Sequence, residues 1–230
     1  EIHMFSPFIE KPFVEAMKEG IIAPDDNVAM GGTFSSIHDD TGEVTQLNVV
    51  FMKDYDCTNV SDLTRAEIQG RKHVLMAMKA LRAKVPGFEN AKIRNIGSTI
   101  GTRESRKIEG RSYLTEYDIL NEGRFTDSIG IYPEFVDGLN YLYIPTTGRY
   151  FQIPYGCLVP KEVDNLLVAG RCISGDRVAH CSFRNMSCCS VTGEAAGTSA
   201  ALSIKTDQTT ASVDIGLLQE TLRKQGLRID

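Results

Sequence analysis

The sequence has no run of eighteen apolar residues, which excludes a membrane-spanning helix of the ordinary kind. It shows no secretory leader and no C-x-x-C pair of the zinc or redox type. Its four histidines are scattered, with no pair at helical spacing, so no structural metal is expected. Nor is there a basic excess. Twenty-five Lys and Arg stand against thirty Asp and Glu, a formal net charge of −5, and the basic stretch over residues 103–111 is interrupted by acids. A surface of that balance argues against nucleic acid as a partner, because phosphate binding needs positive charge. Internal repeats and low-complexity segments are absent as well. The six cysteines, Cys57, Cys157, Cys172, Cys181, Cys188 and Cys189, read as reduced thiols in a cytoplasmic protein.

What is present is an ordinary globular composition, 42% hydrophobic and 24% charged over 230 residues, enough for one large domain or two small ones. Residues 1–3, which end in the His3-Met4 pair, read as a cloning remnant, with the cloned or natural frame starting at Met4. A short helix is expected over 11–18, closed by Gly20 and Pro24. Strands over 28–35 and 43–52 flank a turn at 38–42. Thr64 and Glu67 have the spacing of a capping box, in which each side chain satisfies a free amide at a helix start. The apolar stripe Val74, Met78, Leu81, Val85 continues that helix to the Pro86-Gly87 stop. Further strands are expected over 92–100, 141–144, 150–153 and 165–169, with helices over 114–120, 186–204 and 214–224.

The most specific signal lies near the C-terminus. Residues 166–174 read Leu-Leu-Val-Ala-Gly-Arg-Cys-Ile-Ser, an apolar strand ending in Gly170-Arg171 and a polar loop. Residues 190–202 follow as a helix rich in Ala that contains Gly193 and Gly197. Glycine costs roughly 1 kcal/mol inside a helix, so two of them imply close approach of another backbone or a ligand. The free amides at a helix start would favour a ligand with partial negative charge.

Strand, Gly-Arg pair, loop and Gly-x-Ala-Ala-Gly helix together resemble the FAD-contacting C-terminal element of the FAD-dependent oxidoreductases, which share a fold with the glutathione reductase and fumarate reductase groups. Residues 86–90, 101–110 and 153–160 carry the resemblance further, so that it covers most of 28–205. It implies an FAD cofactor and hydride transfer between FAD and a small organic substrate. By the same resemblance, Gly170 and Arg171 lie beside the flavin, and a helix start at Thr192, Gly193 and Glu194 approaches its pyrimidine edge. Arg103 and Arg106 lie near the catalytic face, where a guanidinium suits a carboxylate or developing oxyanion. His180 takes a proton from a substrate hydroxyl. Arg184 holds substrate or cofactor phosphate, and Tyr132 and Asp137 sit in a substrate-domain loop.

One hallmark of such flavoproteins is missing. No G-x-G-x-x-G occurs, and residues 97–101 have the wrong spacing for one. The expectation is therefore an α+β chain corresponding to the C-terminal half of such an enzyme: a mixed-sheet substrate (cap) domain over 4–160, then the C-terminal strand-helix part of an FAD-binding domain over 161–230. Such a chain would be incompetent alone. It would expose apolar surface at 166–168 and along the following helix, and would rely on a partner chain carrying the dinucleotide-binding half or on self-association. The alternative is a non-catalytic oligomerising domain or remnant that binds no flavin.

Overall fold

The computed structural model describes residues 10–38, 40–138 and 142–230, with backbone alone for 33–37. Residues 1–3, read above as a cloning remnant, lie outside the described residues. The chain forms two compact units, Glu1–Thr102 and Arg103–Asp230.

The first unit is built from α1 (Lys11–Lys18), a hairpin of β1 (Val28–Ile37) and β2 (Val44–Met52), and the long α2 (Val60–Lys84). Its core joins Phe13 and Ala16 of α1, Val28, Met30 and Val49 of the hairpin, and Ala77, Met78, Ala80 and Leu81 of α2. His73, buried in α2, fixes the loop before β1: the Asp25 amide donates to Nε2 (3.1 Å), which leaves Nδ1 as the donor to the Gln69 carbonyl (2.8 Å).

The hairpin is antiparallel, Val28 facing Met52 and Met30 facing Val50, but Thr33 faces Asn48. One extra residue therefore stands in β1 between Met30 and Thr33, a bulge formed by Gly31 and Gly32. Gly32 has φ +141, and a Cβ there would lie 1.9 Å from the Asn48 carbonyl oxygen, so only glycine fits.

Two local expectations fail in this unit. Helix α2 starts four residues before Thr64, capped by Asn59, whose side chain accepts from the amides of Ser61 and Asp62. Thr64 instead donates to the Val60 carbonyl (2.8 Å), and Glu67 pairs with Arg71. Residues 92–100 form no strand. They are held to α2 by side chains, Arg71 on the Ser98 carbonyl (3.0 Å) and Glu67 on the Ile100 amide (2.7 Å), with Arg82 on the carbonyl of the preceding Ala91. With no neighbouring strand edge, these backbone groups find side-chain partners instead of a ladder.

The second unit contains α3 (Glu116–Leu120), β3 (Ser128–Pro133), β4 (Val136–Asp137), β5 (Leu142–Tyr143), β6 (Tyr150–Pro154), α4 (Arg177–Phe183), α5 (Met186–Lys205) and α6 (Ile215–Lys224). β3 pairs with β6 and β4 with β5, both antiparallel. The fold class is α+β, but the described strands form three separate two-stranded antiparallel sheets rather than one mixed sheet. Tyr132 and Asp137 lie in β3 and β4, not in a loop. Residues 165–169 are not a strand. Their one backbone link back to the preceding segment runs from the Val168 amide to the Leu158 carbonyl (2.9 Å), and Leu166 stays 45% exposed. A single core runs from Leu114 through Phe151, Ile153 and Leu158 to Phe183, Ala195, Leu218 and Ile229. The strands before residue 160 thus share one core with the C-terminal helices, and the boundary between the two compact units falls at 102/103.

Gly32→Ala should destabilise the first unit by more than about 2 kcal/mol, since it adds both a backbone clash and an unfavourable φ. Asn59→Ala should cost only about 1 kcal/mol, the loss of one cap. Urea unfolding of the two variants measures the contrast; equal midpoints would refute the bulge geometry.

Candidate functional site

The site is assembled around a turn and a short helix in the second unit. Ala169 is extended, and Gly170 takes φ +74 to open a single 3-10 turn, Gly170–Cys172. The left-handed conformation is the reason for glycine at this step. The Gly170 amide donates to Thr192 Oγ1 (2.9 Å), which ties the turn to α5. On its other side, the Ile108 amide donates to the Cys172 carbonyl (3.0 Å).

Asp176 then organises the next helix. Its Oδ1 accepts from the Ala179 amide (2.7 Å), capping α4, and its Oδ2 accepts from the Glu116 amide (2.7 Å) at the start of α3. Its carbonyl accepts both the His180 amide (3.0 Å) and Lys107 Nζ (3.4 Å).

His180 is 1% exposed and packs edge-on against Phe183, with ring centroids 5.3 Å apart. Among the described residues no hydrogen bond of good geometry reaches Nδ1 or Nε2, nor the buried hydroxyls of Ser174 and Ser182, and only the Arg171 backbone acts on the ring as a weak partner. Burial, with the positive charges of Lys107 and Arg184 added to it, pulls the imidazole down to about 4; the backbone of Arg171 works weakly the other way. The ring is therefore neutral at neutral pH, with one nitrogen a donor and the other an acceptor. Leaving such groups unpaired costs roughly 1–3 kcal/mol each, so the ring is poised for a partner other than this chain's own side chains.

Arg184 ends α4. Its Nη2 donates to the Asp137 carbonyl and lies 3.3 Å from the Asp137 carboxylate, and its side chain is only 10% exposed. Arg103 reaches the same carboxylate oxygen at 3.4 Å. Arg103 therefore belongs to the cluster through Asp137, whereas Arg106 projects into solvent.

The expected helix start at Thr192, Gly193 and Glu194 is corrected by the structure. Helix α5 begins six residues earlier, at Met186. These three residues lie past its first turn, where backbone amides already have helical acceptors, so no free amides are offered there. Gly193 and Gly197 face outward with nothing within 4 Å of a Cβ, so their close approach is to nothing within the described residues. Thr192 keeps a role through its bond to Gly170, while Glu194 is exposed.

Sequence reading missed Lys107 as a member of the cluster, although it stands in the 101–110 stretch that carries the resemblance. Only the fold brings it to the carbonyl of Asp176. The thiols play no comparable part. Cys157 is pushed up to about 12 by burial, and Cys188 is raised well above its ordinary value by the same cause. Among the described residues no group of three or more His, Cys, Asp or Glu is gathered to hold a metal.

The pH dependence follows from His180. Its folded value lies below the ordinary 6.5, so the unfolded chain binds more protons between those limits. The stabilisation is complete above about pH 6.5 and lost as pH falls towards 4. From pH 7.5 to pH 5, wild-type protein should lose roughly 1–2 kcal/mol more than His180→Gln. Urea unfolding at both pH values checks this; equal losses would mean that the imidazole is not held neutral.

Fit to a flavin can be judged from these groups. A left-handed Gly170 turn, a neutral His180 with open nitrogens, and the cations Lys107, Arg171 and Arg184 suit the polar edge of a redox ring. No dinucleotide fingerprint stands among the 230 residues to hold a pyrophosphate. Residues 7–222 match the family described as FAD dependent oxidoreductase. No curated protein and no solved structure matched the chain. Spanning nearly its whole length, that match shows that the chain belongs to the FAD-dependent oxidoreductase family, which implies FAD as its cofactor.

Proposed function

We propose that the chain works in a flavin-dependent oxidoreductase that moves hydride between FAD and a small organic substrate, and that its second unit supplies the flavin-side and substrate-side groups. FAD, when bound, supplies the two-electron chemistry. The observation that carries the reading is the neutral, buried His180, whose ring nitrogens meet no hydrogen bond of good geometry among the described residues and which feels the charges of Lys107 and Arg184. In this reading His180 holds the substrate hydroxyl and takes its proton at the free acceptor nitrogen. Phe183 fixes the ring plane, and the Asp176 cap fixes the helix that carries it. Gly170 and Arg171 line the flavin, with Thr192 holding the turn from behind. Arg103 acts through Asp137, while Arg106, Gly193 and Glu194 have no contact that assigns them a task. Six free cysteines support a reducing, cytoplasmic setting. No helix among the described residues is long and apolar enough to cross a membrane.

A second reading has one specific observation in its favour. The outer face of α5 carries Met186 (89% exposed), Gly193, Gly197 and Ile204 (83% exposed), a smooth stripe suited to further polypeptide. In that reading the unit is an oligomerising or partner-binding domain that takes no flavin. Sedimentation of the chain with and without FAD separates association from cofactor uptake.

Titration of the full chain with FAD, followed by flavin fluorescence and by retention of colour through desalting, tests the first reading. Uptake is expected, weakened roughly tenfold by Arg171→Gln through loss of a charge-assisted contact. A colourless protein that leaves flavin fluorescence unchanged would rule out cofactor binding by this chain alone.

A further inference from the structure

We infer that the outer face of α2 docks on an anionic lipid surface, its lysines and arginines on the headgroups and its exposed aliphatic side chains at the acyl boundary. The inference concerns the first unit alone and is independent of the flavin reading. Charge is spread unevenly along the chain. The whole carries a formal −5, yet residues 65–96 hold eight Lys and Arg against two Asp and Glu. Helical spacing sorts these residues. Ala77, Ala80 and Leu81 enter the core, while Arg65, Ile68, Lys72, Leu75, Lys79 and Arg82 recur three and four apart on the opposite face, all exposed. That stripe is roughly 25 Å long and bears no acid. The acids of the helix are committed beside it. Asp62 pairs with Arg65, and Glu67 holds Arg71 at 2.6 Å and the Ile100 amide at 2.7 Å. Among the described residues Lys72 and Lys79 have no ion-pair partner.

The next segment widens the stripe. Arg82 donates to the Ala91 carbonyl (2.8 Å) and Arg71 to the Ser98 carbonyl (3.0 Å), so residues 91–98 run back alongside α2. They bring Lys92 and Arg94, both exposed and without an ion-pair partner among the described residues, and the exposed Ile96. The aliphatic side chains decide which anion fits. Ile68 is 51% and Leu75 62% exposed, and both stand between cations rather than on a face of their own. Against the backbone of a duplex they would press on charged oxygens, at a desolvation cost to both. A bilayer offers both chemistries at adjacent depths: anionic headgroups for Lys and Arg, and an apolar layer just beneath for Ile and Leu. The long stems of Lys72 and Lys79 let their charges stay at headgroup level while the shorter side chains go deeper. The outer side of a helix is also a convex ridge, which meets a plane without needing a complementary groove. Two aliphatic side chains hold weakly by themselves, so the cations supply most of the attraction.

Co-sedimentation of the full chain with lipid vesicles is the test. The probes are vesicles of phosphatidylcholine alone and of phosphatidylcholine with roughly one-third phosphatidylserine. Binding is expected on the anionic vesicles only, and it should fall steeply as salt is raised. Lys72→Gln combined with Lys79→Gln should weaken it roughly tenfold or more, and Leu75→Ser severalfold. All three positions are exposed, so the variants should keep the wild-type circular dichroism spectrum. Lys205→Gln, at the end of α5, should change nothing. No binding to the anionic vesicles, equal binding to both kinds, or unchanged affinity in the double variant would overturn the inference. Polyglutamate and a DNA duplex are titrated in parallel. Vesicle binding left unchanged by Leu75→Ser would mean that no side chain enters the acyl boundary, and tighter binding of either polymer than of the anionic vesicles would assign the face to an acidic polymer. Either result also overturns it.

Discussion

Asp176 is the residue on which the site depends. Its three oxygens reach three backbone amides and one ammonium: Glu116 and Ala179 on the carboxylate, His180 and Lys107 on the carbonyl. One side chain therefore caps α4, docks the start of α3, and fixes the carbonyl on which Lys107 rests. The carboxylate contacts are charge-assisted and stronger than neutral ones, which suits a group that must locate a buried imidazole.

That constraint explains the electrostatics nearby. Burial is the main reason that the His180 ring stays neutral, and the positive charges of Lys107 and Arg184 add to it. An imidazole held this way cannot act as a fixed cation. It keeps an acceptor nitrogen available across the neutral range, which a proton acceptor needs. The arginines serve different ends: Arg184 is nearly buried and held on Asp137, Arg103 shares that carboxylate from a more exposed position, and Arg106 meets only solvent.

Much of this was legible in the sequence, and the failures have physical causes. Helix α1 follows from its Gly20 and Pro24 stop, α5 from its run of small residues and α6 from its amphipathic pattern, and Asp214 caps α6. The capping-box pattern was read at Thr64, while a box forms at Thr115 and Asp118, where the Asp118 carboxylate accepts the Thr115 amide at 2.9 Å. A four-residue pattern does not say which of several candidates stands at a helix start, and Asn59 supplied a competing cap. Residues 92–100 and 165–169 have strand-like composition, but strands need an edge to pair with. Neither segment has one among the described residues. The FAD family resemblance rested on spacing and local chemistry, and these do survive the absence of a ladder.

The site was legible residue by residue but not as a constellation. His180, Gly170 and Arg171 lie close in sequence, so one motif carries all three. Lys107 and Asp137 lie 73 and 43 positions from His180, and only the packing of residues 107–108 on the Gly170 turn and of β4 on α4 brings them in. Thr192 illustrates the opposite case. Its assignment to a helix start was wrong, yet it touches the Gly-Arg turn through its hydroxyl rather than its amide. Thr192 is thus joined to the Gly170 turn by a side chain and not by a free helix-start amide. Side-chain hydrogen bonding to a left-handed glycine turn orients the turn without the dipole of a helix end. Any preference of this site for negative charge must therefore come from Lys107, Arg171 and Arg184, whose charges the fold gathers, and not from α5.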